Sequence, residues 1–374
     1  MANEGILAVK ATAPKYLKGA SDQTIRQRVL LSMLDSRGQL KFNVDGHTES
    51  NWLIQVRDPQ IRQYGDSARQ NFTEHDAYES LQIDVRGYIG TDKLSHRTGL
   101  LNRGKLAIVN HYDEKLKILM RAARRRIGTD IYADGYATGN EQALIGLGSF
   151  MKPDGSVDTD DLVAVPSSSA AYGGKSCQLG ALGGSWSADL AVADRPSSLI
   201  SYDWPLGSGS PEYDALTPKM INAGSTRWPS GTAGWKHNCT TIMRRARQWT
   251  RSLGGDGSEP MLHLLCSEFY GEYQDYMESK ERIILPHKET SDYGFSRTLN
   301  FEGAAIVDDF DVPSQKGYGL NIDELMLFTL HDDLFESEGP EWDTMEQAWL
   351  FVVRMAGNLR FNPKHHSEYG VYGS

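Results

Sequence analysis

The stretch Ser169-Ala170-Ala171-Tyr172-Gly173-Gly174-Lys175-Ser176 ends in the Gly-Lys-Ser of a phosphate-binding loop, where glycine amides and a lysine would cradle a nucleotide's phosphates. Two features count against that chemistry. Ser169 stands where the motif needs its first glycine, and the CQLGALGGSW that follows is too glycine-rich for the helix whose N-terminal N–H groups complete an anion site. Asp308, Asp309 and Asp311, with Asp332 and Asp333 further on, are types that bind a divalent cation or divide the acid and base work of glycoside hydrolysis. No glycine and glutamate follow at calcium-loop offsets, so solvated turn carboxylates are the expectation. His365-His366, beside Pro363 and Lys364, has no further ligand nearby in sequence and reads as a mobile tail. Trp186, Trp204, Trp228 and Trp235 either hold a sugar or a base, or supply the core that the surrounding glycines cannot. There is no nucleophile elbow, and Cys177, Cys239 and Cys266 are far apart and in no metal-ligand spacing. The sequence therefore predicts no catalytic residue, no cofactor and no metal site.

At 374 residues, 39% hydrophobic and 24% charged, the chain has room for two domains or for one with large insertions. No apolar run approaches the ~20 residues of a membrane span. The first residues, MANEGILAVKATAPKYLKG, are too polar for a secretory signal, and three unpaired cysteines fit synthesis in a reducing cytosol. Charge is uneven. Residues 1–150 carry 21 Lys and Arg against 17 Asp and Glu, the remainder 18 against 32. An acidic surface disfavours a duplex-reading protein.

Residues 1–20 have no period and read as an arm; Thr24 to Leu34 give a short helix stopped at Ser36-Arg37-Gly38. Asn51–Arg57 and Ser80–Gly90 alternate as strands, with about two dozen polar residues between them, which points to an outstretched hairpin rather than a compact loop. From His111 to Asp130, Leu116, Leu119, Met120, Ala123, Ile127 and Ile131 share a helix face; Lys115, Lys117, Arg121, Arg124 and Arg125 cover the rest, a solvated or intersubunit surface. Gly135, Gly139, Gly146 and Gly148 then redirect the chain. Leu162–Pro166 and Met261–Ser267 read as strands, Trp235–Leu253 and the EFYGEYQDYMESK segment as helices. The last third returns to strand texture, with no internal repeat.

In this order the elements resemble a tailed-bacteriophage major capsid protein of the Hong Kong 97 type over nearly the whole length. The resemblance is carried by the hairpin NWLIQVRDPQIRQYGDSARQNFTEHDAYESLQIDVRGYIGTDKLS and by the helix-bearing TGLLNRGKLAIVNHYDEKLKILMRAARRRIGTDIYADGYATGNEQALIGL, with its Asp134-Gly135 and Ile145-Gly146-Leu147 steps. STRWPSGTAGWKHNCTTIMRRARQW, RTLNFEGAAIVDDFDVP and LFVVRMAGNLRFNPKHH extend it. The implied fold is α+β: an N-terminal arm (1–40), an extended β-hairpin loop (41–86), a peripheral domain with a long spine helix (87–141), an axial domain (142–296), and a return to the peripheral domain with a C-terminal strand and tail (297–374).

The resemblance implies a non-enzymatic shell subunit that assembles as pentamers and hexamers into an icosahedral head around double-stranded DNA, in a virion built in a bacterial cytoplasm. Implied partners are further copies of the chain, a separate scaffolding protein, a portal protein, a decoration protein, and packaged DNA held without sequence preference; no membrane is involved. About forty residues precede the hairpin, so the arm is expected to need no processing. Residues 57–80 contain no lysine, which speaks against a lysine–asparagine cross-link at the loop tip. Intersubunit contacts are expected from Trp52, Arg57, Arg62, Arg69 and Phe72, with Lys15 and Lys18, against acids such as Glu336, Glu338, Glu341 and Asp343. Two other readings stay open: an encapsulin-like shell that stores proteins, and a glycan- or nucleotide-acting enzyme built on the tryptophans or Lys175.

Overall fold

The computed structural model describes residues 29–44, 49–55, 78–96, 105–155, 162–164, 166–178, 216–254, 259–279 and 299–372. The chain divides into two compact units. The first takes residues 1–48, 84–148 and 325–361; the second takes 49–83, 149–324 and 362–374.

In the first unit, helix α1 (Val29–Ser36) buries all of Val29 to Leu34 and packs against a strand of the unit's sheet. Gly38, at φ 67°, turns the chain out of it, a left-handed conformation that costs glycine little. The sheet has five strands: β1 (Leu40–Lys41), β4 (Arg86–Ser95), β13 (Leu325–Thr329), β14 (Glu336–Asp343) and β15 (Ala348–Phe361). The 14-residue β15 is its backbone, pairing antiparallel with β4 along one edge and with β13 and β14 along the other. Helix α2 (Lys105–Asp130) lies on this sheet; at 1.5 Å per residue its 26 residues span ~39 Å. It begins earlier than the expected His111, because the LAIV run before that point is apolar on every side and carries no helical period. Leu119, Met120, Ile127 and Ile131 are buried, the face that the spacing predicts.

The second unit holds a seven-stranded sheet in the order β10-β11-β9-β12-β16-β8-β5, from β5 (Val163–Ala164), β8 (Lys219–Asn222), β9 (Leu262–Leu265), β10 (Leu299–Phe301), β11 (Ala304–Asp308), β12 (Lys316–Leu320) and β16 (Ser367–Gly370). Helices α3 (Trp235–Gly254) and α4 (Ser267–Ser279) pack on each other and on this sheet. The Trp235 ring stacks 4.7 Å from Phe269 and 5.5 Å from Tyr369 at its centre. Two hairpins complete the unit: β2 (Glu49–Gln55) with β3 (Tyr78–Asp84), and β6 (Ala171–Tyr172) with β7 (Lys175–Ser176).

Two assignments differ from the sequence reading. Residues 299–320 and 367–370 are strands of the second unit's sheet, so the span 297–374 is shared between the units instead of returning whole to the first. Alternation identifies a strand but not the sheet it joins. The C-terminal His365-His366 segment is likewise no mobile tail. It leads into β16, an interior strand paired with β12 and β8, and His366 is fully buried.

Candidate functional site

The glycine-rich passage after α2 is held by a polar clamp within the first unit. The turn closes with Ile131, Tyr132 and Ala133 N–H groups bonded back to Ile127, Thr129 and Asp130 carbonyls, and Leu147 N–H returns to Ile131 O at 2.8 Å. Arg86, nearly buried at 9% exposure, reaches in from β4. Its Nη1 donates to the carbonyl oxygens of Gly135 at 2.6 Å, Ala143 at 2.8 Å and Asn140 at 3.3 Å. Two residues on, the Tyr88 hydroxyl donates to Asp130 Oδ2 at 2.7 Å and accepts from Leu144 N–H at 2.8 Å. Burial raises the Tyr88 phenol well above its ordinary pKa, so it stays a donor. Arg126 Nε also donates to that carboxylate, at 2.7 Å, neutralising the buried Asp130.

On β15, Asn358 Oδ1 accepts from Ile145 N–H at 3.0 Å while its Nδ2 donates to Asp84 O at 2.8 Å. A Cβ at Gly146 would overlap the carbonyl oxygens of Asp130, Ile131 and Ala133. The glycines thus permit backbone to lie on backbone, and every cation here faces carbonyls or a carboxylate already satisfied; the passage fixes a chain direction and leaves no anion cradle.

Sequence reasoning missed Arg86, Tyr88 and Asn358. The signal available was an arginine in the inward register of an otherwise alternating strand, since Arg86 and Leu94 are the buried positions of β4.

The Gly-Lys-Ser candidate is a hairpin turn. Gly173 and Gly174, at φ 58° and 75°, form the two-residue connection between β6 and β7 that favours positive φ at both positions. Lys175 Nζ pairs with Glu79 of β3 at 2.9 Å. Gln82 N–H donates to Gly173 O at 3.2 Å, and the Tyr172 ring lies between Phe150, 5.4 Å away, and Trp52 of β2, 6.0 Å away. This small hairpin therefore buttresses the β2–β3 pair, and Trp52 is engaged within the chain.

The remaining candidates separate. Asp308, Asp309 and Asp311 belong to the second unit and Asp332 and Asp333 to the first. Asp309 is buried and its Oδ1 accepts from Asp311 N–H at 3.0 Å, a turn-shaping role. Among the described residues no three His, Cys, Asp or Glu side chains gather to hold a metal. Trp228 and Trp235 are buried with their N–H groups on Asn222 O and Phe269 O. The three cysteines are free and buried, and burial pushes the thiols of Cys177 and Cys239 up to about 12. Glu336 and Glu338 sit on β14 paired with His331 and Arg354, each at 2.9 Å; Asp343 accepts from Met345 N–H, and Glu341 is exposed. Lys15, Lys18, Arg57, Arg62, Arg69, Phe72, Trp186 and Trp204 lie outside the described residues.

Sequence comparison gives no relative: no protein-family model matches the chain, and no curated protein does. Structural comparison does. The chain superposes on the capsid of cyanophage A-1(L) with a TM-score of 0.58 at 12% identity, covering 92% of each chain. It matches the capsid of the native GTA particle with a TM-score of 0.50 at 10% identity, over 91% of this chain and 90% of that one. It matches the capsid of Myoviridae phage XM1 with a TM-score of 0.50 at 10% identity, over 90% and 91%. The chain has the Hong Kong 97-type capsid fold. At these identities the shared property is architecture.

Proposed function

We propose that this chain is the major shell subunit of a tailed phage, assembling as pentamers and hexamers into an icosahedral head around double-stranded DNA. The observation that carries the reading is coverage. About nine-tenths of this chain matches about nine-tenths of each capsid chain. The polar groups at the glycine passage and at Lys175 are spent on internal bonds, as a building block requires, and no reaction step is assigned to the chain. No helix among the described residues is long and apolar enough to cross a membrane.

A shell gains its stability from many modest contacts per copy, summed by closure. Ring-forming contacts use different patches on the two partners. The arginines of the long hairpin, Arg57, Arg62 and Arg69, together with Trp52, Phe72, Lys15 and Lys18, are assigned to such contacts. Of the acids facing them in this scheme, Glu341 has no ion pair with another described residue, whereas Glu336 and Glu338 would exchange one partner for another. A separate scaffold, a portal, a decoration protein and non-specifically held DNA complete the assembly.

The test is negative-stain microscopy with sedimentation on the chain expressed alone and with scaffold candidates from the same genome. Closed shells, tubes or capsomer rings are expected. A monomer or dimer under every condition would refute the reading. Arg57→Glu with Arg69→Glu is expected to stop closure; wild-type yields of shells would remove the charge-pairing part of it.

A further inference from the structure

The hairpin of β14 and β15 closes through a turn, Thr344 to Gln347, that none of the roles above uses. At its tip stands Met345, 94% exposed, the most exposed large apolar side chain among the described residues. The other described methionines are buried, apart from Met261 and Met326, which are half-buried.

The turn is held from several sides. Asp343 Oδ1 accepts from the Met345 N–H at 2.8 Å, a side-chain-closed bend, and Gln347 takes a left-handed conformation at φ 47°. From the end of β4, the His96 N–H donates to Gln347 O at 2.9 Å and Lys93 Nζ pairs with Glu346 at 2.6 Å. Behind the turn, Trp342 and Trp349 are cross-strand partners with ring centres 4.9 Å apart, and His96 lies edge-on to Trp342 at 5.4 Å. Met345 lends this frame its backbone N–H, while its side chain stands in solvent.

A thioether placed in this way is open to reagents that close packing keeps from the others, and its chemistry can change without disturbing the bonds that shape the turn. We propose that Met345 is a reversible oxidation site, taking one oxygen from a peroxide to become the sulfoxide. A sulfur lone pair attacks a peroxide oxygen and the O–O bond breaks. The sulfur keeps that oxygen and is oxidised by two electrons; the peroxide, reduced by two, leaves as water. A methionine sulfoxide reductase reverses the step, its thiols ending as a disulfide and the oxygen as water. The modification exchanges an apolar tip for a polar one on an unchanged hairpin. It rests on the turn alone and not on the shell reading.

The experiment treats the full unassembled chain with hydrogen peroxide at neutral pH and follows each methionine-bearing peptide by mass spectrometry over time. Oxygen uptake at Met345 is expected to run at least about tenfold faster than at Met261 or Met326. In urea the three rates should converge, because the preference comes from the fold. The chain oxidised at Met345 should keep its circular dichroism spectrum. Both sulfoxide epimers should return to methionine with the two classes of reductase and dithiothreitol. Uptake at Met345 no faster than at Met261 or Met326, or a preference that survives in urea, would overturn the proposal. So would a loss of folded signal in step with Met345 oxidation, or a sulfoxide that the reductases leave untouched in the folded chain.

Discussion

Removing the Arg86 guanidinium should loosen the glycine passage selectively. In Arg86→Met the stem keeps its length, but the carbonyls of Gly135 and Ala143 lose charge-assisted bonds of 2.6 and 2.8 Å, and that of Asn140 a longer one. A buried acceptor left without a donor costs ~1–3 kcal/mol. Two strong bonds lost would cost about 2–6 kcal/mol, and sparing the protein the desolvation of a buried guanidinium returns part of this. The net expectation is ~3 kcal/mol. With a urea slope of ~2 kcal/mol/M, the midpoint for the first unit falls by about 1.5 M. Arg86→Lys keeps the charge but reaches fewer of the three oxygens from a point donor, and is expected to recover about half the loss.

The local assay is hydrogen exchange read by mass spectrometry on peptides covering residues 131–148. Protection of the Leu144, Ile145 and Leu147 amides, which donate to Tyr88 Oη, Asn358 Oδ1 and Ile131 O, should fall first. An Arg86→Met chain within about 0.5 kcal/mol of wild type, or one whose exchange rises equally in both units, would refute the reasoning that Arg86 holds this turn.

Gly146→Ala should be worse than a helix-propensity change, because its Cβ would collide with three backbone oxygens that cannot rotate away; loss of soluble protein, or at least ~3 kcal/mol, is expected by urea titration. Lys175→Ala should leave nucleotide titrations as flat as in the wild type and cost at most ~1 kcal/mol, since its pair with Glu79 is part-exposed. Acid should weaken the second unit through His263 and His366, each held neutral by burial with its pKa lowered to about 3. Because the folded value lies below the unfolded one of ~6.5, stability is complete above that pH and is lost as pH falls toward 3. Between pH 7 and 4.5 each imidazole should cost roughly 2–3 kcal/mol, and His366→Gln should flatten part of that slope in melts followed by circular dichroism.

How much could be read in advance followed a physical line. Face-forming patterns were legible: the buried stripe of α2, the buried LHLL of β9, and the Phe301-Glu302-Gly303 step, whose last two residues, at φ 50° and 93°, turn β10 into β11. The pairing of β2 with β3 was legible because two alternating runs flank one polar stretch. What was not legible depended on pairing at a distance. β16 looks like a tail because Ser367, Glu368 and Gly370 are poor advertisements for a buried strand, yet all are buried. Glu368 is accommodated by Lys316 Nζ at 2.8 Å and the Tyr372 hydroxyl at 2.7 Å, partners distant or unremarkable in sequence.

The same reasoning explains why the candidate site had no signature. A reactive centre gathers titratable groups whose bonding is left open, so their types alone are conspicuous. The polar groups at the candidate sites close on backbone, as Arg86, Tyr88 and Asn358 do, or on one another, as Lys175 does with Glu79. Closed bonding of that kind is what a subunit needs if its shape must survive being pulled on from several sides. It makes Arg86, more than any residue conspicuous by type, the position where the fold's demands and the proposed shell function can be probed together.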